Sequence, residues 1–159
     1  MYIISKEFHF SASHQLEHLP DGHQCARLHG HNYVAIVEMA SDILDDDAFV
    51  LDYGKLADFK KYIEDVLDHR HLNDVMGSII GDPSTYTTAE NIAAMLYDWC
   101  DERWPNVITA VTVKETDKTR ATFRPDTVPS YWAVKQRSET MGTANYSDAM
   151  MAGGMRAAP

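Results

Sequence analysis

Cysteine is scarce in this chain: there are two in 159 residues, Cys25 and Cys100. Two cannot build a disulfide framework, and in a reducing compartment a bridge between them is not expected. Long apolar runs are missing as well. No stretch approaches the roughly 18 apolar residues of a membrane-spanning helix. The opening segment MYIISKEFHF lacks the basic flank and extended apolar stretch of a secretory signal. The expectation is a cytoplasmic protein with no membrane partner. Basic charge is the third shortage. Fourteen Lys and Arg stand against 24 Asp and Glu, for a net charge of −10. No basic stripe is present, which argues against a nucleic-acid partner. An anionic small substrate remains open, but it would need a local group of Lys, Arg or His.

What is present has the length of one domain. Residues 2–16 place Ile4, Phe8, Phe10, Ala12 and His14 on one parity, which predicts a strand. Pro20, Asp21 and Gly22 mark a turn. Residues 31–40 read as a second strand, residues 41–48 as an acidic loop, and residues 48–52 as a short strand. Leu56, Phe59, Ile63, Val66 and Leu67 form the stripe of a helix over 54–69. Residues 73–87, rich in Gly, Pro, Ser, Thr and Asp, read as a loop. Thr87 followed by Glu90 has the form of a capping box opening a second helix, whose stripe is Ile92, Met95, Leu96, Trp99 and Cys100. Residues 107–116 and 119–124 read as two strands joined by a tight turn at Asp117-Lys118. The order strand, strand, helix, helix, strand, strand gives an α+β domain over residues 1–125 with an antiparallel sheet. Beyond it, residues 126–159 read as a largely unstructured tail.

The strongest local feature is Cys25-Ala26-Arg27-Leu28-His29-Gly30-His31. Side chains at i and i+2 on extended backbone point the same way, so His29 and His31 can grip one ion. His14, near the end of the first strand, supplies a third nitrogen if the two strands pair. Three neutral imidazoles leave an open tetrahedral position, as in catalytic zinc sites. An isolated HxH is more often a pair of surface histidines. The third histidine and the upstream cysteine tip the balance to metal. His9, His18 and His23 are weaker competitors. Cys25 stays open between a fourth ligand, which would close the site, and a reactive thiol acting as acid and base.

Two further features carry chemistry and an ordinary alternative each. Asp68-His69 closes the first helix. The pair could form a proton relay, although His and Arg also suit a helix C-terminus through its dipole. Glu115 shares its predicted parity with Val111 and Val113. An inward carboxylate wants donors, such as the adjacent N–H groups of a pterin or guanine edge. A solvent-facing Glu paired with Lys114 or Arg120 is the equal alternative.

Taken together, FSASHQL, CARLHGHNY, FVLDYGKL, LDHRHLND, TTAENIA and VKET resemble the 6-pyruvoyltetrahydropterin synthase family, in its order and at compatible separations. Within it the likeness is to the bacterial 6-carboxytetrahydropterin synthases of queuosine biosynthesis, because only three residues separate Cys25 from His29. The resemblance implies the tunnelling fold, with trimers whose sheets close into a barrel, stacked in some members into hexamers, with sites between subunits. It implies Zn²⁺ held by His14, His29 and His31, Cys25 as general base with Asp68 and His69 as its relay, and Glu115 gripping a pterin ring. The implied substrate is 7,8-dihydroneopterin triphosphate, with release of triphosphate and acetaldehyde. The alternatives are a pyruvoyl-forming synthase and, from another class, a non-catalytic module with a closed Cys-His₃ zinc site.

Overall fold

The computed structural model describes residues 1–81 and 86–125. The expected tail, 126–159, lies outside the described residues. Strand β1 spans Tyr2–His14 and β2 spans His29–Ser41. They pair antiparallel along their whole length, with Phe8 opposite Ala35, Ala12 opposite His31 and His14 opposite His29. The buried face is the one that the sequence pattern selects. Phe8, Phe10, Ala12 and His14 alternate with exposed or half-buried neighbours on β1, and Tyr33, Ala35, Val37 and Met39 do so on β2. The Pro20–Gly22 turn is present, with Gly22 at φ +94°, a conformation suited to a residue without a β-carbon.

The first helix is three segments: a 3₁₀ turn over Tyr53–Leu56, α1 over Ala57–Tyr62, and a π turn over Ile63–Leu67. Leu56, Phe59, Ile63 and Leu67 from the expected stripe are fully buried. The wide last turn closes with the Asp68 N–H donating to the Ile63 carbonyl. It releases the chain at Asp68 in extended geometry and His69 at φ +56°, a left-handed conformation uncommon for a residue with a side chain. Strand β3, Arg70–His71, then runs parallel to β1.

The sequence pattern misplaced several elements. Residues expected as a loop hold helix α2, Leu72–Ile80, which buries Leu72 and Met76 in the core. Gly77 and the polar residues masked this periodicity; the two buried anchors override their weak propensity. No strand forms at 48–52. Helix α3, Ala89–Arg103, is capped by Thr88, not Thr87: the Thr88 hydroxyl accepts from the Asn91 N–H. Its stripe is buried as expected, and Ala93, Ala94 and Tyr97 are buried too.

Strands β4, Ile108–Lys114, and β5, Arg120–Phe123, complete a five-stranded sheet in the order β3-β1-β2-β4-β5. The pairing is antiparallel except for β3 on β1. Val111 and Val113 are buried as expected, but a register shift at Glu38 and Met39 changes the parity at the start of β4. Ile108 turns inward, whereas Thr109, expected there, points outward and bonds the Glu38 carboxylate. The β4–β5 connection is five residues, not a two-residue turn, and the Thr116 hydroxyl accepts the N–H groups of Lys118 and Thr119. The helices cover one face of the sheet, where a single core runs from Phe8 and Tyr33 to Phe59, Met95 and Trp99.

Candidate metal centre and the residues around it

Strand pairing does what the spacing of His29 and His31 could only suggest. The β1–β2 register brings His14 opposite His29, with ring centroids 4.4 Å apart, and His31 lies 5.2 Å from His14 and 5.1 Å from His29. One nitrogen from each ring lies within 4.8 Å of the others. Gly30 allows this close pairing. A β-carbon there would stand 3.0 Å from the Ala12 carbonyl oxygen.

Hydrogen bonds settle which nitrogens are free. His14 Nδ1 lies 2.7 Å from the Thr87 carbonyl oxygen, and His29 Nδ1 lies 2.6 Å from that of Arg27. A carbonyl only accepts, so both Nδ1 atoms carry the proton and both Nε2 atoms present lone pairs. His14 Nε2 is buried and has no hydrogen-bond partner among the described residues. A buried, unpaired lone pair beside two more imidazoles fits a divalent cation, and the nitrogen-only donor set with oriented rings suits zinc. Burial, with His29 and His31 adding to it, lowers the His14 pKa to about 4, against a rise from the Thr87 hydrogen bond. Burial also lowers that of His31, while the nearby Glu115 charge opposes it. Neutral imidazoles are the form a metal needs.

The sequence did not identify the groups that orient His14. Thr87, offered as a helix cap, instead uses its carbonyl to hold the imidazole. Its hydroxyl bonds Asn73, and Asn73 clamps the backbone of Gln15 through both its amide atoms. The Asn in LDHRHLN was the only signal, and nothing in it named its partner. Tyr33 was also missed. Fully buried, its ring stacks on Phe10 and meets His14 and His31 edge-on at 5.9 and 5.4 Å. Its hydroxyl has no hydrogen-bond partner among the described residues.

The competing histidines fall elsewhere. His9 lies near Glu7, His18 packs on Tyr86, and His23 accepts the Cys25 N–H. Cys25 sits in a half-buried 3₁₀ turn, Gln24–Ala26, and does not belong to the converging donor group among the described residues. Cys100 is a buried thiol on α3, as its place on the apolar stripe suggests.

Asp68 and His69 are hydrogen-bonded, with Oδ2 2.8 Å from Nδ1. The other carboxylate oxygen accepts the Ser11 N–H at 2.8 Å, and the His69 N–H donates to the Ser11 carbonyl. The Ser11 bond first, then His69, holds the Asp68 carboxyl below the usual range. The His69 ring is 82% exposed. An open cleft of about 520 Å³ has both His31 and His69 in its walls, with Ser11, Ser13, Asn32 and His71 between them. Cys25 does not line it, and no hydrogen bond or ion pair among the described residues joins the thiol to the Asp68–His69 pair.

Glu115, one residue past β4, reaches the histidine cluster: its Oε1 lies 3.8 Å from His14 Nε2. Burial, with the Glu115 charge adding to it, pushes the Tyr33 phenol well above its usual range. The carboxylate therefore stands beside the histidine cluster, next to His14 Nε2.

The sequence and the fold of this chain match those of known proteins. The family model for 6-pyruvoyl tetrahydropterin synthase matches residues 3–126. The chain belongs to the 6-pyruvoyl tetrahydropterin synthase family. A 6-carboxy-5,6,7,8-tetrahydropterin synthase of Synechocystis sp. is 37% identical over 77% of this chain and 93% of the relative. One of Bacillus subtilis is 32% identical over 77% and 84%. The solved 6-pyruvoyl tetrahydropterin synthase of Caenorhabditis elegans superposes with a TM-score of 0.65 at 29% identity, covering 79% of this chain and 98% of that one. The tunnelling fold expected of the family is the fold of this chain.

Proposed function

We propose that this chain is a zinc-dependent 6-carboxy-5,6,7,8-tetrahydropterin synthase, acting in queuosine or related 7-deazapurine biosynthesis. The observation that carries the reading is the His14–His29–His31 cluster with its unpartnered Nε2, in a chain whose relatives bear that name. The reaction converts 7,8-dihydroneopterin triphosphate and one water to 6-carboxytetrahydropterin, acetaldehyde and triphosphate. His14, His29 and His31 would hold the ion. Bound there, zinc supplies Lewis-acid polarisation of the substrate's side-chain oxygens.

Cys25 takes a proton from the substrate side chain as general base. His69, held by Asp68, works with it to move protons from the side chain to the ring, and Asp68 stabilises the imidazolium that forms. Glu115 accepts the adjacent N–H groups of the pterin ring and fixes which end of the substrate meets the histidines. The separation of Cys25 from the Asp68–His69 pair within one chain, together with the exposure of His69, supports a site completed between subunits. In this reading three chains close their sheets into a barrel, which also removes the exposed edges β3 and β5.

Mass analysis of the products from dihydroneopterin triphosphate tests the reading. Acetaldehyde and a 6-carboxy product are expected. Triphosphate release without acetaldehyde would instead identify the pyruvoyl-forming activity, which the name of the Caenorhabditis elegans relative makes the second reading.

A further inference from the structure

Tyr33 sits beneath the metal centre with a hydroxyl that no described residue satisfies. Phenylalanine would fill the same space, stack on Phe10 equally well and avoid burying an unpaired polar group. A hydroxyl retained there needs a partner that arrives when the site is loaded.

Glu115 is the acceptor at hand. Its Oε1 is 3.8 Å from His14 Nε2, but that contact is not a hydrogen bond. The proton of His14 is on Nδ1, committed to the Thr87 carbonyl, so Nε2 and the carboxylate are both acceptors. No described residue donates a hydrogen bond to the Glu115 side chain. The β2–β4 register sets Val34 opposite Lys114, so the residues one step further on, Tyr33 and Glu115, are cross-strand neighbours, which brings the carboxylate near this unused donor. A cation bound at Nε2 leaves Glu115 two destinations. It can join the metal as a fourth protein ligand, since carboxylates bind zinc well, or it can accept the Tyr33 O–H.

We propose that Tyr33 is a positioning residue of this site: its buried hydroxyl donates to the Glu115 carboxylate in the loaded protein. That bond keeps the carboxylate off the metal and aimed at the pterin N–H groups. The proposal rests on the reading of Glu115 as the pterin grip. It gives Tyr33 a role in keeping the fourth coordination position open to substrate.

Four zinc-loaded proteins test it: wild type, Tyr33→Phe, Glu115→Gln and the double variant. Neopterin, which carries no phosphate, serves as the binding probe, and bound metal is counted by elemental analysis. Tyr33→Phe should keep full zinc content, and its metal-free form should melt no lower than wild type. It should bind neopterin about tenfold more weakly, the scale of one hydrogen bond to a charged group. In the Glu115→Gln background the same substitution should cost clearly less, because the amide oxygen accepts the Tyr33 O–H without a charge and has no carboxylate to lose to the metal. Cobalt-substituted Tyr33→Phe should show altered visible bands from an added carboxylate ligand, and the double variant should not. Equal neopterin binding by wild type and Tyr33→Phe would overturn the proposal alone. So would a Tyr33→Phe penalty of the same size with and without Glu115. Failure of the wild type itself to bind neopterin would overturn the pterin reading and this proposal with it.

Discussion

Acid should destabilise the metal-free protein through His14 in particular. The folded chain holds this imidazole neutral, with its pKa lowered from 6.5 to about 4 by burial. The unfolded chain returns it to its ordinary value. Above pH 6.5 both states carry neutral His14, and it contributes no pH dependence. Between pH 6.5 and 4 the unfolded state binds the extra proton, so stability falls as pH falls. At 1.36 kcal/mol per pH unit the gap amounts to about 3 kcal/mol, fully lost once pH drops below about 4. His31 shifts in the same direction and adds to the slope. Urea unfolding of chelator-treated protein at fixed protein concentration, at steps from pH 7 to pH 4, measures it. Tryptophan fluorescence is a suitable probe, because Trp99 and Trp104 lie in or against the core. Wild type should lose about 3 kcal/mol more than His14→Gln over this range. Parallel curves for the two proteins would refute the assignment of His14 as a buried neutral imidazole. Zinc should shift the wild-type curve to lower pH, because protons must displace the metal before the ring can charge.

Three other outcomes follow from the geometry. Cys25→Ala should retain zinc at full stoichiometry by elemental analysis while turnover disappears, since the thiol lies outside the converging donor group; loss of zinc together with stability would favour a closed Cys-His₃ site. Asp68→Asn should lower turnover by about 10²–10⁴-fold in a steady-state assay with zinc content unchanged, because the amide can still accept the Ser11 N–H but cannot stabilise a charged His69. Gly30→Ala should destabilise the protein by about 1–3 kcal/mol in denaturant unfolding and weaken zinc retention against a chelator, because the added methyl group meets the Ala12 backbone at 3.0 Å; unchanged stability would show that the two strands can part there without cost.

The sequence by itself determined the alternation of β1 and β2, the stripe of the first helix, the buried face of α3 and the three histidines. These are local facts. A period of two or 3.6 residues fixes which side chains share a face, and His14, His29 and His31 each lie on the face that becomes buried or half-buried. It did not reveal α2, whose helix is held by Leu72 and Met76 entering a core assembled from distant segments. Nor did it reveal the facing of Ile108 and Thr109 at the start of β4, which depends on a register irregularity against β2. The shift of the helix cap from Thr87 to Thr88 has the same origin, because Thr87 is drawn into the buried network around His14 and Asn73.

At the site the division is similar. Spacing offered His29 and His31 as a pair, but only the register of β1 against β2 put His14 opposite His29 and left its Nε2 buried without a partner. Strand parity could offer Glu115 as an inward carboxylate in search of donors, with a solvent-facing Glu as the equal alternative. Only the packed structure put it 3.8 Å from His14, in a site where the Tyr33 hydroxyl has no partner among the described residues. Contacts of that kind join residues tens of positions apart in the chain. They exist only after the core has closed around them, when each buried polar atom has to find a partner that the local sequence cannot specify.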